Sequence, residues 1–287
     1  MTAPSTTRLL LRGDAFEVGE FRCAPVHPLW HEVNDNIGPR PHVVFPQTSV
    51  YIDQGGSRRV LATPNHVVFH SSHALYRREL HDPRGDLCVF VTVHPGLFAE
   101  LVGDVAVPLG STDAETYLAV RVLVRALREA RAADPLEVEE RLHGLVARAA
   151  VARREPRRPA RASTRRSHRE LAEAAKDLLA RGLTESPSLH DLAGDLHTSP
   201  FHLVRVFREQ TGFALHDYRL HLRLRRALDH LVDSDCDLTW IAHAVGFSSL
   251  SHFSGSFRTK FGVAPSAVRA GGGELRKIVE ARLSTAL

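Results

Sequence analysis

Nowhere in this chain does an apolar run approach the ~18–20 residues that a bilayer-crossing helix needs, so no membrane partner is expected. The start, Met1 to Thr7, is polar and lacks the basic residues and apolar stretch of a secretory leader, which makes the cytoplasm the expected location. Cysteine is scarce. Cys23, Cys88 and Cys236 are odd in number and far apart, which excludes a paired-cysteine zinc motif and a disulfide framework and leaves them as small buried hydrophobes. An excess of one charge is nearly missing too: the net charge is +4 over 287 residues, so affinity for nucleic acid must come from how charge is distributed. No nucleophile elbow, phosphate loop or pair of carboxylates stands in a recognisable context, so no catalytic residue, metal or cofactor is assigned.

What is present fits a soluble globular chain, 43% hydrophobic and 24% charged, long enough for about two domains. Residues 8 to 95 read as strands: His42 to Phe45, Ser49 to Ile52, Arg59 to Leu61, Val67 to Phe69 and Cys88 to Val91 are β-branched or aromatic runs. Turn signals at Pro46, Gln54 to Ser57, Pro64-Asn65 and Asp82 to Gly85 separate them, the pattern of a small sandwich or barrel. A β unit is therefore placed at 1–110. From about Asp113 the apolar period changes to that of a helix, with Tyr117, Val120, Val124 and Leu127 on one face and an end near Ala133. Pro135 opens a second helix carrying Leu136, Leu142, Leu145 and Val146. This pair, 111–151, either packs on the β unit or forms the seam of a homodimer. Residues 152–169 hold eight arginines, Pro156 and Pro159 and no apolar period, and read as an arginine-rich linker that adds nonspecific attraction for phosphates.

Residues 170–270 read as helices throughout, followed by a tail at 271–287. Gly182 ends the first helix. Ser188, with Asp191 three residues on, starts the next, which carries Leu189, Leu192, Ala193 and Leu196. His197-Thr198 makes a tight turn. Ser199 then caps a helix with Pro200 at its first position, Leu203 and Phe207 facing inward, and Gly212 at its end. A long helix follows, from about Ala214 to Val232, with Leu220, Leu224, Ala227, Leu228 and Leu231 on its buried stripe and Arg219, Arg223, Arg225 and Arg226 on much of the remainder. The helix-turn-helix pattern then repeats: Leu238, Ile241, Ala242 and Val245, the turn Gly246-Phe247, the cap Ser249, and Phe253, Phe257 and Phe261 at four-residue spacing. The two motifs span 189–210 and 238–261. Joined by one rigid helix, their second helices can enter successive major grooves about 34 Å apart on one face of a duplex.

At these residues the chain resembles the AraC/XylS family of bacterial transcription regulators. The resemblance rests on Leu192-Ala193, Ser199-Pro200, Leu203, Arg205, Phe207, Gly212, Tyr218 and Arg223-Leu224, then Ile241-Ala242, Val245-Gly246-Phe247, Ser251-His252-Phe253, Phe257, Phe261-Gly262, Pro265 and Arg269. It implies double-stranded promoter DNA as the partner, read by Phe201, His202 and Arg205 in the first motif and by Leu250, Ser251 and His252 in the second. Arg205 is the first choice for a base contact, because arginine donates two bonds to guanine. Arg208, Arg258 and Lys260 are assigned to phosphates. Gly255 stands where the family often has arginine, and Val268 where it often has an aromatic, so the second motif is expected to read bases less strictly.

The resemblance also implies RNA polymerase as a further partner and an N-terminal cupin-like β-barrel that binds an unnamed small effector or mediates dimerisation. The expected fold is thus a multidomain α and β chain, with a cupin-like barrel and two helices followed by an all-α double helix-turn-helix. The alternative weighed is a cupin-type metalloenzyme with an attached DNA-binding module. His66, His70, His73, His81 and His94 invite a metal, but the close His-x-His pair with a following glutamate is missing. Cys23, His27, Trp30 and His31 form a second cluster, open between a metal or redox sensor and ordinary packing. Phe45, Tyr51, Phe69, Tyr76 and Phe90 either line a pocket or make the core.

Overall fold

The computed structural model describes residues 5–27, 30, 37–54, 59–105, 109–129, 134–151, 162–271 and 275. His31 and the linker arginines from Arg153 to Arg161 lie outside the described residues, as does nearly all of the tail.

The N-terminal part is sheet-rich. A six-stranded antiparallel sheet has the order β1 (Thr6–Arg12), β2 (Phe16–Cys23), β8 (Asp86–Val93), β3 (His42–Pro46), β6 (His66–His70) and β9 (Leu109–Ser111). A three-stranded sheet has the order β5 (Val60–Ala62), β4 (Val50–Gln54) and β7 (Tyr76–Leu80). All five expected runs are strands. No ladder joins the two sheets among the described residues, so the expected barrel is found as two open layers. The edges explain why: β1 is kinked by a register shift between Leu9 and Leu11, and the β5 edge is met by helical side chains instead of another strand.

Strand alternation gives the large sheet two buried faces. One face holds Phe16, Val18, Val43, Phe45, Val67, Phe69, Val89, Val91 and Val93, in one core with α2 (Ala114–Arg128) and α3 (Pro135–Val151). The other holds Cys23, Val44 and Val68 and closes with Trp30 and the small sheet's Val50, Ile52 and Ala62. Gly19 sits opposite Phe90, whose ring passes 2.3 Å from where a Cβ would stand, so only glycine fits there. A short helix, α1 (Pro95–Leu101), is capped by His94, and α2 by Asp113, which accepts from the Thr116 amide at 2.7 Å. Tyr117, Leu118, Val120 and Val124 of α2 are almost fully buried inside the chain, so the helical pair packs on the sheet.

The C-terminal part is all helical: α4 (Ala162–Arg181), α5 (Leu189–Asp195), α6 (Pro200–Thr211), α7 (Leu215–Asp233), α8 (Leu238–Ala244), α9 (Leu250–Phe261) and α10 (Pro265–Ala270). Residues 162–169, read from sequence as the end of the linker, are the first turns of α4. Ala162 to Arg169 contain no proline or glycine, so the helix extends back toward Pro159. No helix among the described residues is long and apolar enough to cross a membrane.

Candidate nucleic-acid interface

The two motifs are built from local signals that repeat. Ser188 and Asp191 form a complete capping box at the head of α5, and Asp237 caps α8 through the Thr239 and Trp240 amides. The turn after each of these helices needs a left-handed residue, His197 at φ 48° and Gly246 at φ 85°. Gly246 lies so near the Thr184 backbone that a Cβ there would stand only 3.0 Å from its Cα and O, so this turn admits no side chain. Ser199 accepts from the His202 amide and Ser249 from the His252 amide, both at 3.2 Å. Gly212 and Gly262 close α6 and α9 in the left-handed conformation.

Packing decides which faces remain outside. Leu203 and Phe207 of α6 are buried with Leu192, Ala193, Ala172, Ala175 and Leu179 around Tyr218 and Leu222 of α7. Phe253, Phe257 and Phe261 of α9 are buried with Ile241, Ala242 and Val245 around Leu224, Ala227, Leu228 and Leu231. One rod, α7, therefore carries a core at each end, and each core turns a second helix outward.

On α6 the outward face is Phe201, Val204, Arg205 and Arg208, with Phe201 81% exposed. His202 is half-buried; its ring meets His168 of α4 edge-on at 5.4 Å, and its Nδ1 lies 3.2 Å from Arg205 Nη2. Glu209 holds Arg205 loosely from one turn on, at 3.4 Å. An exposed pair of that length contributes little and is easily exchanged for a stronger acceptor.

On α9 the outward face is Ser251, His252, Gly255, Arg258 and Thr259. The His252 ring rests on Phe247 at 5.1 Å. Leu250, assigned with Ser251 and His252 to base edges, is half-buried and packs on the core under the second motif. Lys260, assigned to phosphates, has its Nζ 3.2 Å from Asp217 of α7, a pair at the surface. Val204 and His168 were not singled out in the sequence; an apolar residue three positions after Phe201 on the same face was the available signal for the first.

The remaining face of the rod is taken by the N-terminal part, which helix periodicity alone did not reveal. Arg225, placed from sequence on an outer face, is buried and donates to the carbonyls of Pro64 and Thr112, while burial pulls its pKa down to about 10. Tyr218 shares a 2.8 Å hydrogen bond with Thr63, and its carbonyl accepts from Asn65 at 3.0 Å. Asp229, pushed up to about 6 by burial, accepts from Tyr117 at 3.2 Å and pairs with Arg121 at 3.1 Å. On α4, Asp177 accepts from Tyr51 at 2.8 Å and lies 2.7 Å from His81 Nε2. Glu173 accepts from the Leu61 amide at 2.9 Å, which satisfies part of the free β5 edge. Arg223, also assigned outward, is buried on the Leu183 and Glu185 carbonyls, both at 2.7 Å.

The N-terminal clusters resolve into separate environments. His66 is buried beside Thr63, His70 stacks on Tyr76, His73 holds a left-handed turn, His81 faces Asp177 and His94 caps α1. Trp30 donates to the Ala24 carbonyl at 2.8 Å and packs with buried Cys23. Phe45 and Phe69 are core, and Tyr76 packs between the sheets. Among the described residues no group of three or more histidine, cysteine, aspartate or glutamate side chains is placed to hold a metal ion.

The helix-turn-helix domain family matches residues 192–271. The HTH-type transcriptional activator RhaS of Pectobacterium atrosepticum is 35% identical over 103 residues, 36% of this chain and 37% of that protein. The HTH-type transcriptional regulator GlxA of Rhizobium meliloti is 42% identical over 71 residues, 25% of this chain and 22% of that protein. The chain thus spans well under half the length of these two curated relatives. A solved transcriptional regulator from Chromobacterium violaceum, described as having an AraC-type DNA-binding domain, is 31% identical, with 37% of this chain and 94% of that chain covered and a TM-score of 0.35.

Proposed function

We propose that residues 192–271, which match the helix-turn-helix domain family, form an AraC/XylS-type domain and that the whole chain is a sequence-specific transcription regulator that binds double-stranded promoter DNA. The observation that carries this reading is the pair of serine-capped helices, α6 and α9, packed on opposite ends of one rod with their polar faces outside. In it, Phe201, His202 and Arg205 address base edges from α6, and Ser251 and His252 from α9, with Leu250 at the margin of that contact. Arg208 and Arg258 hold phosphates, where a charged, sequence-independent contact fixes register.

In this reading residues 1–110 form a cupin-like sensor unit and 111–151 its helical pair. The linker at 152–169 leads into the DNA-binding unit at 170–270, and 271–287 is a tail. Support for sensing comes from the hydrogen bonds that the sheets make to α4 and α7, through which a change in the N-terminal part reaches the DNA-facing part. The regulator acts in the cytoplasm, without enzymatic activity of its own, and recruits or blocks RNA polymerase. Dimerisation through the N-terminal part belongs to the same reading.

Competition binding against DNA variants separates the two kinds of contact. Arg205→Ala is expected to lose about 1–3 kcal/mol of discrimination at one base pair. Arg208→Ala is expected to weaken all sequences alike and to lower the salt slope of binding by about one. Uniform weakening by Arg205→Ala would remove Arg205 from base reading; full-length protein with no affinity for its own upstream DNA at low salt would remove the regulator reading.

A further inference from the structure

Away from the recognition helices, where the large sheet meets the far end of α7, lies a cavity of about 310 Å3 lined by Thr6, Arg8, Glu20, Arg22, Arg128 and Asp233. Thr6 and Arg8 belong to β1 and face Arg22 and Glu20 of β2 directly across the ladder. Alternate residues on paired strands project to one side, so these four side chains share one face of the sheet. Arg128 is the last residue of α2 and Asp233 the last of α7. Three parts of the molecule thus meet at one cavity: the sheet, the helical pair and the rod between the two DNA-facing motifs.

The charges in the cavity are unevenly matched. Arg128 donates Nε to Glu20 at 2.9 Å and Nη1 to Asp233 at 2.6 Å, and its Nη2 lies on the second oxygen of Glu20. The second oxygen of Asp233 accepts from buried Arg121 at 2.6 Å. Both carboxylates are therefore committed. Arg8 and Arg22 are exposed and have no ion pair among the described residues, although Glu20 stands directly opposite Arg8. They are diagonal neighbours on adjacent strands, roughly 7–8 Å apart at the backbone, a separation that two long guanidinium side chains close around one oxyanion. Each guanidinium offers forked donors that match a carboxylate or phosphate, and the Thr6 hydroxyl adds a third donor beside them.

We propose that this cavity binds a small molecule through an oxyanion, carboxylate or phosphate, gripped by Arg8 and Arg22 with Thr6. As the effector site of the proposed regulator it rests on that reading; as a binding site it stands without it. An anion seated here repels Glu20 and Asp233 and competes for Arg128, so it loosens the bond between α2 and the end of α7. A ligand then acts on the rod without touching α6 or α9.

Calorimetric titration of the full-length protein with inorganic phosphate and, separately, with succinate tests the site, with sodium chloride at equal ionic strength as the blank. Saturable binding of at least one is expected, and the stronger of the two identifies the head group. Arg8→Ala/Arg22→Ala is expected to weaken it tenfold or more. Arg22→Lys, which keeps the charge but not the fork, is expected to fall between, and it carries the test if the double variant does not keep the wild-type Tm in the absence of anion. No saturable binding of either anion, or variants that bind as the wild type does, would overturn the proposal. Binding of upstream DNA by the same preparation is measured independently: its loss with anion binding intact removes the regulator reading and leaves the site.

Discussion

Histidine is the residue whose placement has the sharpest consequence for stability. His70 is buried between the two sheets, against Tyr76, and burial, assisted by His42 and Arg78, pulls its pKa from 6.5 to about 3. The folded chain therefore refuses a proton that the unfolded chain accepts below pH 6.5, so the stability His70 contributes is complete above that pH and is lost as pH falls toward 3. His66 and His221 are shifted in the same direction by burial and add to the effect, while Asp229, raised to about 6, opposes it, since its cost appears as pH rises from 3.8 to 6. Urea unfolding at pH 6.5 and pH 4.5 is expected to show the wild type losing about 2–3 kcal/mol more than His70→Gln, at ~1.4 kcal/mol per pH unit. Equal losses in the two proteins would contradict the burial of a neutral His70. From sequence alone this histidine was one of five near one another in number; its inter-sheet position depends on the β3–β6 register, which brings His42 opposite His70 and which no local pattern encodes.

At the scale of elements, the two motifs were legible because each of their boundaries has its own chemical cause. Ser199 and Ser249 caps, Pro200 at a first turn, left-handed Gly212, Gly246 and Gly262, and phenylalanines one turn apart are short-range signals, and all of them stand in the structure as read. β1, β2, β7, β9 and α1 were not resolved individually. β1 holds three consecutive leucines in place of alternation, β7 (Tyr76–Leu80) is mostly charged, and α1 has seven residues, too few for a periodic stripe. Arg223 and Arg225 were misplaced for a different reason: their partners are carbonyls of distant segments, so the rod's own periodicity assigned them outward. Within α9 the open position is Gly255, where a Cβ would meet nothing within 4 Å. Gly255→Arg is therefore expected to stabilise the helix by about 1 kcal/mol and, facing a phosphate, to raise the salt slope of DNA binding by about one. Thermal unfolding and a salt titration of affinity check both halves; an unchanged salt slope would place α9's outward face away from the duplex.

For the molecule as a whole, the arrangement is a rod with a helix-turn-helix motif at each end and a sheet-rich body along its remaining side. The body reaches the first motif through Tyr51, Leu61 and His81 on α4, the middle of the rod through Thr63, Asn65 and the Pro64 carbonyl, and the second motif's end through Arg125, which donates to the Val268 carbonyl at 2.9 Å. Composition and strand pattern made the sheet-rich body legible but not its seat, because polar contacts between segments far apart in the chain leave no period in the sequence. The proposed regulator docks α6 and α9 together on one duplex. Hydroxyl-radical footprinting of the full-length protein on its upstream DNA tests this most directly. Protection of two segments one helical turn apart on the same face is predicted, with Arg205→Ala thinning only one of them. A footprint confined to a single groove, or one in which Arg205→Ala leaves both segments unchanged, would contradict it.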